Sequence, residues 1–63
     1  MENQLKEKIG DMKETLNEVE VDVNKFVAGN KSAGTRVRVE LQKIKGLAQE
    51  CRALISNIRN QGK

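Results

Sequence analysis

Apolar residues recur along the chain in two sets of seven, each with alternating steps of four and three residues. The first set runs from residue 5 to 26 and the second from 37 to 58. This spacing is typical of helices that pack side by side as a coiled coil, at about 3.5 residues per turn. The predicted interface positions are Leu5, Ile9, Met12, Leu16, Val19, Val23 and Phe26, then Val37, Leu41, Ile44, Ala48, Cys51, Ile55 and Ile58.

The stretch between the two sets, residues 28–34, is rich in turn-forming residues. Gly29 is expected to end the first helix, and Asn30 or Ser32 to cap the second. We predict a helix over about residues 3–28, a turn at 29–31 and a helix over about 32–60. Because so short a link forces neighbouring helices to be antiparallel, the fold is predicted to be an all-α two-helix hairpin. A chain of 63 residues holds one such domain, residues 1–63.

The apolar positions outnumber those that a single partner helix can cover. Val39, Leu47 and Leu54 are expected to flank the seven positions of the second helix. Two helices share only one interface, so self-association is expected. The simplest form is a homodimer that makes a four-helix bundle, and a higher homo-oligomer is the alternative.

Charge is divided unevenly between the two halves of the chain. Residues 1–28 carry a net charge of −3, and residues 29–63 carry +6. In the heptad register, Arg38, Lys45, Arg52 and Arg59 all occupy position e, while Arg36 and Lys43 occupy position c. Together with Lys31 in the turn, these residues are the candidates for binding DNA: Lys31, Arg36, Arg38, Lys43, Lys45, Arg52 and Arg59.

Two interpretations of these cations compete. In the first, they pair with carboxylates of the first helix, at a gain of only a few tenths of a kcal/mol for each exposed pair. In the second, they follow the phosphates of double-stranded DNA, where binding releases counterions and reads no base. The positive excess of the second half favours the second interpretation. The chain has only one aromatic residue, which argues against stacking on single-stranded bases.

The start of the second helix offers free backbone amides to a phosphate. Lys31, Arg36 and Arg38 are expected to contact phosphate there. For Ser32 and Thr35, phosphate contact and plain capping and turn chemistry fit equally well.

The segment from Gly29 to Arg38, followed by Leu41, Ile44, Leu47 and Ala48, resembles the bacterial linker-histone-like proteins first associated with chlamydial chromatin. The resemblance implies a nucleoid-associated protein that binds DNA with little sequence preference and condenses it. It also implies that Lys31, Arg36 and Arg38 contact DNA and that Asn30 is the cap. The chlamydial members continue into a long Lys/Ala-rich tail, whereas this sequence stops at Lys63, so it resembles a short form without that tail. The helical core and its oligomer would then carry the affinity.

Other functions find little support in the sequence. There is no His, and the single Cys51 lies at an apolar position, so we expect no catalysis, no cofactor, no metal and no small-molecule substrate. No secretion signal or membrane span is expected, and the predicted location is the cytoplasm and nucleoid. The alternative is a small coiled-coil module that binds other proteins and has no nucleic-acid role. An amphipathic helix lying on a membrane is a weaker option, because acids and bases mix on the polar face of the first helix.

Overall fold

The computed structural model describes residues 2–61 and forms them into two α-helices. Helix α1 spans Glu2–Val27 and helix α2 spans Lys31–Gln61, so each limit lies one residue from the position expected from the sequence. The ion pair between Lys8 and Glu50 shows that the first turns of α1 lie beside the second half of α2. The predicted all-α antiparallel hairpin is therefore confirmed. It is a rod whose principal extents are 53 × 14 × 11 Å.

The turn between the helices is closed by backbone hydrogen bonds. The amide of Gly29 donates to the carbonyl of Phe26 at 3.0 Å, and the amide of Asn30 donates to the carbonyl of Lys25 at 3.0 Å. This pair of bonds is a Schellman motif, which needs a left-handed residue that glycine supplies at least cost. Gly29 has that conformation, with a φ of +113°. It ends α1, as expected.

Asn30 caps α2. Its side-chain Oδ1 accepts a hydrogen bond from the amide of Ala33 at 3.3 Å, as the residue before a first helical turn commonly does. The hydroxyl of Ser32 donates to the same Oδ1 at 2.7 Å and so supports the cap. Of the two capping residues that the sequence left open, the structure selects Asn30.

The side chains between the helices follow a line that only partly matches the predicted one. In α1 the positions that are not exposed are 5, 8, 12, 15, 19 and 22, and in α2 they are 33, 34, 37, 40, 44, 47, 48, 51, 54 and 58. The prediction is right for every second position, such as Met12, Val19 and Cys51. At the intervening positions the interface holds Lys8, Thr15 and Asp22 from α1, and Glu40, Leu47 and Leu54 from α2.

Apart from the half-buried Ala48, the other half of the predicted interface is exposed, so that part of the prediction is wrong. Leu16 is 57% exposed and Leu41 is 49% exposed, and Ile9, Val23, Phe26 and Ile55 are exposed as well. Consecutive side chains point about 100° apart on a helix. A single partner helix can therefore cover the row of side chains through position 15 or the row through position 16, but not both. Val39, expected beside the interface, lies on the outside with 65% of its surface exposed.

Two buried polar side chains in the interface, those of Thr15 and Asp22, have hydrogen-bond partners. The hydroxyl of Thr15 donates to the carbonyl of Asp11, one turn earlier, at 2.9 Å. Asp22 accepts a hydrogen bond from Nε of Arg36 at 3.3 Å. These bonds offset much of the cost of removing the two polar groups from water. The interface is therefore a mixed one, with apolar layers separated by polar layers.

Candidate functional site

Four cations form one exposed line along α2. Arg38, Lys45, Arg52 and Arg59 are spaced seven residues apart and are all exposed, and the line is about 31 Å long at 1.5 Å per residue. Within residues 2–61, none of the four has a carboxylate within the 4 Å of an ion pair. The interpretation in which these four cations form ion pairs with carboxylates of α1 therefore does not hold within the hairpin.

The carboxylates of α2 point away from this line. Helix α2 has only two, and both turn towards α1. Glu40 is half-buried in the interface, and Glu50 accepts a hydrogen bond from Lys8 Nζ at 2.7 Å. Over the part of the chain described, the side of α2 that faces away from α1 therefore carries positive charge without negative charge.

The remaining predicted DNA-binding residues lie elsewhere on α2. Arg36 binds Asp22 across the interface, with about half of its side chain exposed. Lys43 is exposed on the same flank as Arg36, on the opposite flank from the line of four, and Lys31 is the exposed first residue of the helix. The structure thus brings together four of the seven candidates.

Arg36 stands beside two carboxylates. The pKa of Glu40 is raised, first because burial disfavours its charged form, and then because a proton on it would bind Asp22 and because Asp22 and Glu18 are negative. The charge of Arg36 opposes this shift. Oε1 of Glu40 is buried without a hydrogen-bond partner in the described residues. At the other end of the hairpin, the hydrogen bond to Glu50 raises the pKa of Lys8.

One side of the hairpin is apolar. The exposed residues Ile9, Leu16 and Val23 each follow an interface position by one residue, as Leu41 and Ile55 do in α2. In an antiparallel pair, residues so placed fall on the same side of both helices. A groove on this side is lined by Ile9, Met12, Lys13, Leu16 and Ile44. We name this set the apolar face; it consists of the exposed Ile9, Leu16, Val23, Leu41 and Ile55 together with the half-buried Ala48.

A line of uncharged polar residues accompanies the four cations, and sequence reasoning missed it. Thr35, Gln42, Gln49 and Ser56 are exposed and spaced seven residues apart, each three residues before a member of the basic line. The signal was present as heptad spacing.

The described part of the chain contains neither a cluster of metal-ligand side chains nor a helix suited to crossing a membrane. Among residues 2–61, no three His, Cys, Asp or Glu side chains cluster so as to hold a metal ion. In the same range, neither helix has the length and apolar character needed to cross a membrane.

Comparison with known proteins identifies the family. Neither a curated protein nor a solved structure shows significant similarity to this chain. The family described as histone H1-like protein Hc1 matches residues 6–61, which include both helices and the turn. The match contains the complete basic line and the capping segment on which the sequence resemblance depends. The chain belongs to the histone H1-like protein Hc1 family.

Proposed function

We propose that this protein binds double-stranded DNA without sequence specificity and, as a nucleoid-associated protein of the bacterial cytoplasm, coats, bridges or condenses it through α2. The observation that carries the proposal is the basic line of Arg38, Lys45, Arg52 and Arg59, which has no ion pair within residues 2–61. Membership of a histone H1-like family supports the same function. Phosphate contacts of this kind give affinity and no sequence information.

The line has dimensions that suit a duplex. Its length of about 31 Å is close to one helical turn of DNA, roughly 34 Å. Lys31, Arg36 and Lys43 add positive charge near the turn, although Arg36 already binds Asp22. Each phosphate neutralised releases counterions, so the affinity will depend steeply on salt.

The test is fluorescence anisotropy with two unrelated duplexes across a salt series. With four phosphates engaged, log K should fall with log salt at a slope of about −4 for each bound hairpin, and equally for both duplexes. Replacing Arg38 and Arg52 with Gln should make this slope shallower by about 2. Replacing Lys6 and Lys25 of α1 with Gln removes the same charge and is the matched control.

A wild-type chain that does not bind duplex at physiological salt would refute the proposal and favour a module that binds only proteins. Equal losses in the two double variants would mean that net charge, rather than the basic line, drives binding.

We also propose that a second copy of the chain covers the apolar face, which makes a homodimeric four-helix bundle. In such a bundle each helix contacts two neighbouring helices. It therefore needs two adjacent lines of side chains, one packed against each neighbour. The hairpin supplies this pattern. In α1, positions 8, 15 and 22 face α2 of the same chain. The adjoining Ile9, Leu16 and Val23 are exposed and can pack against a helix of a second copy.

Sedimentation equilibrium tests the dimer. Leu16→Asp with Leu41→Asp should give a helical monomer, because a charge buried between copies is costly, whereas the hairpin alone leaves both positions exposed. Val39→Asp is the control, since Val39 is also exposed in the hairpin but lies outside the apolar face. If the double variant stays as associated as the wild type, the apolar face is not the interface.

A further inference from the structure

The outward side of α2 has a repeating composition that net charge alone does not explain. The uncharged line of Thr35, Gln42, Gln49 and Ser56 lies about 60° around the helix from the line of four cations. All four side chains are exposed and carry a hydroxyl or an amide. The outward side of α2 therefore combines cations with neutral hydrogen-bond donors along most of its length.

These groups surround two shallow depressions with equivalent linings. The first is lined by Thr35, Arg38, Val39 and Gln42. The second is lined by Gln49, Arg52, Ala53 and Ser56, each residue 14 positions after its counterpart and hence about 21 Å further along the helix. Each depression has one guanidinium, two neutral hydrogen-bonding side chains and one apolar residue. The same local arrangement therefore occurs twice along one face.

The charge of this face distinguishes it from the corresponding side of α1. The outward side of α1 carries carboxylates, among them the exposed Glu7 and Glu14. The outward side of α2 carries none within residues 2–61, because Glu40 and Glu50 turn towards α1. Of the two long sides, only that of α2 complements a polyanion.

We propose that α2 lies lengthwise on duplex DNA with this outward face against one sugar-phosphate backbone, each depression taking a phosphate group. The inference rests on the proposed DNA binding and assigns the surface that performs it. Arg38 and Arg52 supply the charge. A guanidinium presents its N–H groups as a planar fork that suits phosphate oxygens.

Gln42 and Gln49 supply the neutral hydrogen bonds. Their amide N–H₂ groups donate to phosphate or sugar oxygens, which fixes the position of the helix without reading bases. This arrangement assigns binding energy to residues that carry no charge. Charge-driven binding alone assigns none to them.

The test compares two pairs of Glu substitutions that add the same charge at matched positions. Gln42→Glu with Gln49→Glu places two carboxylates on the outward face of α2. Asn17→Glu with Asn24→Glu places them at the equivalent distance from the interface on α1, where both residues are also exposed. Anisotropy with a mixed-sequence duplex at 0.1 M salt gives the affinities, and circular dichroism and sedimentation check the fold and association state.

We expect the α2 pair to weaken binding by more than about tenfold, because its carboxylates meet phosphates directly. The α1 pair should weaken it by less than about threefold, because its charges lie further from DNA than the screening length of roughly 10 Å. Gln42→Ala with Gln49→Ala should weaken binding by about fivefold through lost hydrogen bonds, with the salt slope unchanged because no cation is removed.

The outcomes separate the two proposals. Equal effects of the two Glu pairs, or wild-type affinity in the Ala pair, would overturn the assignment of the outward face while DNA binding itself stands. Absence of duplex binding by the wild-type chain would overturn both. A strong loss in the α2 pair alone, together with the weaker binding of the Ala pair, supports the assignment.

Discussion

The contact between Phe26 and Gly34 gives the sharpest stability prediction. Phe26 lies in the last turn of α1, and its ring packs against the backbone of α2 at Gly34. A Cβ atom added at Gly34 would lie 2.7 Å from both Cδ1 and Cε1 of the ring, which is shorter than any normal contact. Gly34→Ala therefore forces the ring to move away from α2.

Two effects of similar size oppose each other in this variant. Alanine gains up to about 1 kcal/mol over glycine in a helix. The ring is already 52% exposed, so its displacement loses about 1 kcal/mol of the 1.5–3 kcal/mol that full burial of such a side chain gives. Gly34→Ala should therefore leave the free energy of unfolding nearly unchanged. At Gly46 a Cβ atom meets nothing within 4 Å, so Gly46→Ala should stabilise by about 1 kcal/mol.

Urea unfolding followed by circular dichroism, at one protein concentration throughout, measures both variants. The decisive measurement repeats Gly34→Ala in a Phe26→Ala background, where no ring obstructs the methyl group. There the substitution should stabilise by up to about 1 kcal/mol, which reveals the coupling between the two residues. If Gly34→Ala stabilises as much as Gly46→Ala while Phe26 is present, the ring does not pack on Gly34 and the reasoning is refuted.

Three further predictions concern the polar layers and the turn. The raised pKa of Glu40 means that the folded hairpin holds this proton more tightly than the unfolded chain, so this group lowers stability as pH rises above its usual value of 4.5. Glu40→Gln should raise the urea midpoint at pH 7 and reduce the fall in stability between pH 4.5 and pH 7; an unchanged profile would contradict this. Gly29→Ala should lower the free energy of unfolding by about 1 kcal/mol, because alanine is strained at a φ of +113°, and Gly10→Ala, where a Cβ has open space, is its control. Lys8→Gln should weaken the hairpin slightly at low salt and have no effect at 1 M salt, where the exposed pair with Glu50 is screened; the same loss at both salt concentrations would indicate a packing role for Lys8.

The elements of this fold were predictable because their signals are local. A four-three spacing of apolar residues indicates helices wherever it occurs, and Gly29 followed by Asn30 is both a helix end and a helix start. The family resemblance was carried by a contiguous segment that the family match includes. Charge could also be placed from sequence, since heptad spacing puts Arg38, Lys45, Arg52 and Arg59 in one line whatever that helix packs against.

The sequence by itself determined two helices, their antiparallel order, the end of α1 at Gly29 and the basic line, because each depends on neighbours a few residues apart. The choice of Asn30 over Ser32 as the cap came from the structure. Only the tertiary structure decided how far each helix is rotated about its axis. That rotation places Thr15 and Asp22 in the interface, leaves Leu16 and Val23 outside it and turns both carboxylates of α2 towards α1. The reason is geometric: adjacent positions on a helix compete for one neighbour, and only packing across the hairpin determines which of them is covered.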